Sequence, residues 1–199
     1  MNTPAHVVFS LALLGGYRAS KYAVAIAIGA ILPDLPMLVF YAWEKLRGVP
    51  EHIIWDQHYF LPMWQNIFDI PNSIPLVLVA LSVCIVLKQP LLSCVLGSML
   101  IHCLLDLPVH HDDSHRHFYP LTDFRFASPL SYWDRDHFGH WVSIFEQIAF
   151  VAGAGYLWWF ENSALVKWYT LTRLRIVTLL TSIIYLGFMV FVAYTWADL

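Results

Sequence analysis

The chain is 199 residues long, 59% hydrophobic and only 13% charged, with a formal net charge of -3. Soluble domains average roughly 25% charged residues, so this composition places the chain in a bilayer rather than in bulk water. Its 11 basic residues are scattered, which excludes nucleic acid as a partner, and its 3 cysteines form no C-x-x-C pair, which excludes a thiolate metal site or a disulfide framework.

A membrane-spanning helix needs about 20 mainly apolar residues, and the apolar stretches can be taken in chain order against that length. Val7 to Tyr17 is short and ends in Gly15-Gly16; no basic region or cleavage signal precedes it, so it is read as a retained segment. Tyr22 to Trp43 is long enough to cross but contains Pro33-Asp34 and Pro36. Residues 51 to 72 interleave Trp55, Tyr59, Phe60, Trp64 and Phe68 with polar residues, the pattern of an aromatic helix lying at the headgroup level, over about 51–70. Ile74 to Leu87 and Leu91 to Leu107 are two further crossings. An ordered His/Asp-rich loop covers about 108–140, too polar to span yet rich in aromatics. Trp141 to Phe160 and Leu174 to Trp196 complete the chain. The expected fold is an all-α integral membrane protein with five to six transmembrane helices, one multi-pass domain over residues 1–199.

Arg18, Lys21, Lys88, Lys167, Arg173 and Arg175 fall in the loops between these crossings on one side, which the positive-inside rule assigns to the cytoplasm. By parity, the loops after the second and fourth crossings share the other side. Those loops carry His52, His58 and the whole histidine cluster, and His6 joins them if the first segment crosses. The expected setting is a bacterial inner membrane with the His-rich loops on the non-cytoplasmic face.

The segment from His102 to His117, HCLLDLPVHHDDSHRH, is the densest chemistry in the chain. Imidazole and carboxylate hold zinc, manganese or iron. His102 and Asp106, four apart, share one helix face. Pro108 then ends the helix, and His110, His111, Asp112, Asp113, His115 and His117 follow in a turn that can fold back over it. Asp34 is a carboxylate in an otherwise apolar span, costing about 2.5 to 3.5 kcal/mol on insertion unless paired or functional. It reads as a ligand or as the cap of a restarted half-helix. Glu146, near the start of the fifth crossing, is a candidate ligand or general base, and His52 with Asp56 repeats the H-x-x-x-D spacing.

Thr3-Pro4-Ala5-His6, Pro33-Asp34 and His102 to Asp106 together resemble the small multi-pass family described as membrane-bound metal-dependent hydrolases, which is compared with zinc-dependent phospholipase C and P1 nuclease. The block from His102 through HHDDSHRHFYPLTDFRFASPLSYWD also resembles a bacterial subgroup of uncharacterised membrane proteins, some labelled for cobalamin biosynthesis. That label implies a soluble α/β enzyme with a nucleophilic cysteine, which this chain does not offer. The hydrolase resemblance implies a divalent metal, zinc first and manganese or iron after it, held by His6, Asp34, His102 and Asp106. His110, Asp112 and His115 from the HHDD cluster would complete the set. Leu35 and Pro36 follow Asp34 where that family often continues with a second Asp.

The leading expectation is a hydrolase acting on a phosphoester or ester at lipid-headgroup level, with Asp113 or Glu146 as general base and His117 or Arg116 steadying charge. Membrane lipids are the expected partners. Two rivals stand beside it. One is a non-catalytic accessory subunit of a larger membrane complex, with a structural metal and other membrane subunits as partners. The other is a membrane di-iron oxygenase: His111 to His115 fits one histidine box, but paired HxxHH boxes are missing.

Overall fold

The computed structural model describes residues 1–159 and 168–197; Phe160 and Lys167, used above for a segment end and for orientation, lie outside them. Among the described residues every regular element is helical. The helices are α1 (Thr3–Leu14), α2 (Gly16–Ile31), α3 (Leu35–Leu46), a short α4 (Glu51–Ile53) running into a wide π-type turn (Ile54–His58), α5 (Pro62–Asp69), α6 (Ile74–Val86), α7 (Pro90–Asp106), α8 (Gly139–Trp159) and α9 (Trp168–Ala197). A single 3-10 turn, Arg135–His137, interrupts the loop between α7 and α8.

Two sequence features set the bends that matter. Gly15 takes φ 44° and lets the chain turn directly from α1 into α2. Pro33 and Pro36 cannot continue a helical hydrogen-bond ladder, so the expected second crossing breaks into α2 and α3, bent by 56°. Asp34 sits in that break.

Packing against α7 then brings α2's end to a fixed place. A Cβ at Gly29 would lie 2.1 Å from the Val95 carbonyl oxygen, so only glycine allows this approach of the two backbones. Ser98 Oγ donates to the Ile26 carbonyl at 2.7 Å, and one turn further on His102 Nδ1 meets the Ala30 carbonyl, also at 2.7 Å. The seam repeats at a spacing of four on both helices, so α2 and α7 run alongside each other up to the site. Ala5, Val8 and Leu11 of α1, Ile26 of α2, Phe150 of α8 and Tyr185 of α9 fill the core beside it. A second cluster, Phe40, Ile54, Tyr59 and Phe68, ties α3 to the aromatic 51–70 segment. Trp55 and Phe60 of that segment stay exposed.

Two described stretches are long and apolar enough to cross a membrane, Pro62–Val86 and Thr172–Val190, and three if the bent α2 and α3 count as one span. This is short of the five to six crossings expected from the sequence. The reason is length and polarity. α1 has 12 residues and α7 has 17, which at 1.5 Å per residue gives about 18 and about 25 Å against a hydrocarbon core of about 30 Å. α8 has 21 residues but carries Glu146 and Gln147 within it. Val79, Val86, Ile148, Val151, Ile184 and Val190 are all exposed, leaving apolar side chains around the outside of the bundle.

Candidate metal centre

The N-terminal turn of α1, the α2–α3 break and the last turn of α7 meet at one end of the bundle. They deliver His6, Asp34, His102 and Asp106, all buried. His6, His102 and Asp106 present ligand atoms that all lie within 4.8 Å of one another. His6 Nε2 is 3.0 Å from Asp106 Oδ1, and His102 Nε2 is 2.9 Å from Asp106 Oδ2. Asp34 Oδ1 lies 3.5 Å from the same His102 nitrogen. The two imidazoles stack with ring centres 3.7 Å apart and planes inclined by 17°.

The bonding pattern within this group is informative. A carbonyl oxygen can only accept, so the contact with Ala30 places a proton on His102 Nδ1. Nε2 then faces two carboxylates. With a bare lone pair there, the arrangement is repulsive unless a cation lies among the three groups, as a second ring proton or as a metal ion. A ring proton would line up with a carboxylate oxygen as a hydrogen bond. Yet neither His102 Nε2 nor His6 Nε2 has a hydrogen-bond partner, despite the short distances. Donor atoms that are close but misaligned with one another suit convergence on a shared ion.

Neighbours hold the carboxylates. Asp34 stands at the N-cap position of α3 but makes no capping bond; instead Thr3 Oγ1 donates to its Oδ2 at 2.5 Å. The Met1 amino nitrogen donates to Asp106 Oδ1 at 2.6 Å and lies 3.1 Å from His110 Nε2.

The loop after α7 folds back over this end. His110 Nε2 is 3.3 Å from Asp106 Oδ1, while its Nδ1 is 2.9 Å from Asp113 Oδ2. Trp133 Nε1 donates to the same Asp113 oxygen at 3.2 Å. His115 Nδ1 is 3.5 Å from Asp69 Oδ1. Asp69, fully buried, accepts from the Arg116 backbone N–H at 3.0 Å, Arg116 Nε at 2.7 Å and Arg125 Nη2 at 2.5 Å. Ser128 N–H donates to the His110 carbonyl at 2.9 Å, and His111 Nδ1 donates to the Ser128 carbonyl at 2.6 Å. The loop is therefore anchored along its length. Burial and the adjacent Met1 ammonium oppose charge on His110, but Asp106 and Asp113 outweigh them and push it up to about 9. Burial acts the other way on His117, joined by His115 and His110 against Asp106, and holds it down to about 4.

The sequence-predicted residues divide as follows. His6, Asp34, His102 and Asp106 come together. His110 is beside them, between Asp106 and Asp113. His115 and His117 lie further along the loop and are not in the tight group. Asp112 is exposed and Asp113 takes the inward position, beside His110. His111 stacks on His137 with ring centres 3.5 Å apart. His52 and Asp56 are exposed. Glu146 is buried, but it accepts from Asn2 Nδ2 at 2.6 Å, Asn2 N–H at 3.2 Å and Tyr185 Oη at 3.1 Å, so it fixes the start of α1 against α8 and α9. Asp69 and the Ala30 carbonyl were missed by sequence reasoning. A lone acid closing the aromatic 51–70 segment was the available signal for Asp69; nothing in the sequence marks a carbonyl. No family model, curated protein or solved structure matches this chain.

Proposed function

We propose that this protein is a membrane-embedded, metal-dependent hydrolase acting on a phosphoester or ester at lipid-headgroup level. The observation that carries the proposal is His102: its Nδ1 is committed to the Ala30 carbonyl, and its unpartnered Nε2 faces Asp34 and Asp106. His6, His102 and Asp106 would hold the ion, with Asp34 as a fourth ligand. Two imidazoles with carboxylates suit zinc first, and manganese or iron next. A divalent ion bound there supplies Lewis acidity and lowers the pKa of water.

The chain's own groups then have distinct tasks. The Ala30 carbonyl sets the tautomer and direction of His102, and Thr3 orients Asp34. His110, reaching Asp106 through one nitrogen and Asp113 through the other, is placed to pass a proton between the site and the loop. Asp113 Oδ2 lies 2.9 Å from that ring's Nδ1. The apolar exterior and the exposed aromatics of residues 51–70 support a headgroup-level setting. A bacterial inner membrane with this end on the non-cytoplasmic face, and more crossings than the two or three longest stretches, belongs to the same proposal.

The test is elemental analysis and lipid hydrolysis on protein purified in nanodiscs. The wild type should carry a tightly held divalent ion and release headgroup or acyl product from phospholipid. His102→Ala and Asp106→Ala should each lose both. Variants that keep full metal content overturn the proposal.

A further inference from the structure

A second group of unpartnered polar atoms is buried in the loop, outside the helix-end cluster. His117 is 2% exposed, and neither ring nitrogen has a hydrogen-bond partner. An imidazole always carries at least one N–H, so a buried donor goes unmet there, at a cost of about 1 to 3 kcal/mol. Beside it, His115 is 6% exposed. Its Nδ1 lies 3.5 Å from Asp69 Oδ1 but makes no hydrogen bond there, so this buried ring nitrogen too is without a partner. Asp113 completes the group: Trp133 donates to Oδ2, His110 Nδ1 lies 2.9 Å from the same oxygen, and Oδ1 is buried without a partner.

We propose that Asp113, His115 and His117 form a second divalent-cation site in the loop, next to the helix-end ion and linked to it through His110 and Asp106. The ring centres of His115 and His117 are 5.9 Å apart. Two imidazoles on one ion, with bonds of about 2.0 Å and roughly tetrahedral angles, have ring centres about 5 to 6 Å apart; the stacked His6 and His102 rings, 3.7 Å apart, must splay to reach that geometry at the helix end. The unpartnered carboxylate oxygen of Asp113 favours a cation over a phosphate, which would be repelled by it. Asp69, held by Arg116 and Arg125, fixes the His115 side of the site. His110 stands between the two positions, with Nε2 toward Asp106 and Nδ1 toward Asp113. Unlike His6, His102 and Asp106, these three do not have all their ligand atoms within 4.8 Å of one another, so the loop must close around its ion. The second ion therefore binds more weakly than the first. Two adjacent ions would clamp both the attacking and the leaving oxygen of a phosphoester, so this inference rests on the hydrolase reading for its purpose but not for its chemistry.

Cobalt(II) titration of the metal-stripped full-length protein, read by visible absorption and by bound-ion stoichiometry, tests it. The expected result is two ions per chain, the second about tenfold weaker or more. The His115→Ala/His117→Ala variant and, as a milder change, Asp113→Asn should retain the tight ion and lose the weak one. The His102→Ala/Asp106→Asn variant should do the reverse. Saturation of the wild type at one ion that survives the loop substitutions overturns the second site and leaves the proposed function standing. Loss of the only ion on the loop substitutions, with none at His102 and Asp106, overturns the proposed function instead.

Discussion

The helix-end group and the loop group meet at Asp106 and His110, yet they are built differently. His6, Asp34, His102 and Asp106 come from α1, α2–α3 and α7; α2 and α7 meet through Gly29 and Ser98, and α1 packs into the same core through Ala5, Val8 and Leu11, so their positions follow from helix packing. Asp113, His115 and His117 come from one irregular stretch whose position depends on Asp69, Arg116 and Arg125. His6, His102 and Asp106 of the helix group converge to within 4.8 Å; the loop group does not. Helix ends give preorganisation from backbone packing, whereas the loop obtains it from a few buried polar contacts, each of which can be removed separately.

Removing Asp69 should have the largest effect and should separate the two regions. Asp69→Ala leaves two guanidinium groups and the His115 ring without their shared acceptor. A broken buried pair costs about 3 to 5 kcal/mol, and the partial exposure of both arginines puts this case near the lower end. Thermal unfolding should shift down, and limited proteolysis should cut within 110–130 while the helices stay intact. If the loop remains as protease-resistant as in the wild type, Asp69 is not its anchor.

Gly29→Ala probes the other region. Its Cβ would meet the Val95 carbonyl at 2.1 Å, so α2 and α7 must separate, at about 1 to 3 kcal/mol for overpacking. Metal content should fall with stability, because His102 moves away from Ala30 and Asp34. Unchanged metal content would show that the seam does not position the site.

Much of the helix group was legible in the sequence. Asp34 stood out as a charge in an apolar span, and the H-x-x-x-D spacing put His102 and Asp106 on one face; both are properties of local sequence. The choice for Asp34 between cap and ligand was not legible, since it depends on Thr3 and His102 arriving from other elements. The loop was legible only as composition. Which of Asp112 and Asp113 turns inward depends on turn geometry, and the role of Asp69 depends on contacts across roughly fifty residues of chain. Length and apolarity support two or three of the expected spans, because α1 and α7 are apolar but short, and apolarity alone does not separate a crossing helix from a core helix.

Thr3→Val should produce the smallest effect. It removes one hydrogen bond to Asp34 and leaves every candidate ligand in place. Such outer partners are worth about 10- to 100-fold in metal affinity, so competition with a chelator should show a loss in that range with little change in unfolding temperature. An unchanged affinity would mean that Asp34 is not a ligand, and the helix group would shrink to His6, His102 and Asp106.

The most direct measurement is anomalous diffraction at the metal edge on crystals of the intact protein, with the ion identified by its absorption spectrum. The account predicts a peak among His6 Nε2, His102 Nε2 and Asp106, at about 2.0 to 2.2 Å from each. Density showing hydrogen-bonded side chains there, with no anomalous peak in metal-supplemented crystals, would contradict it.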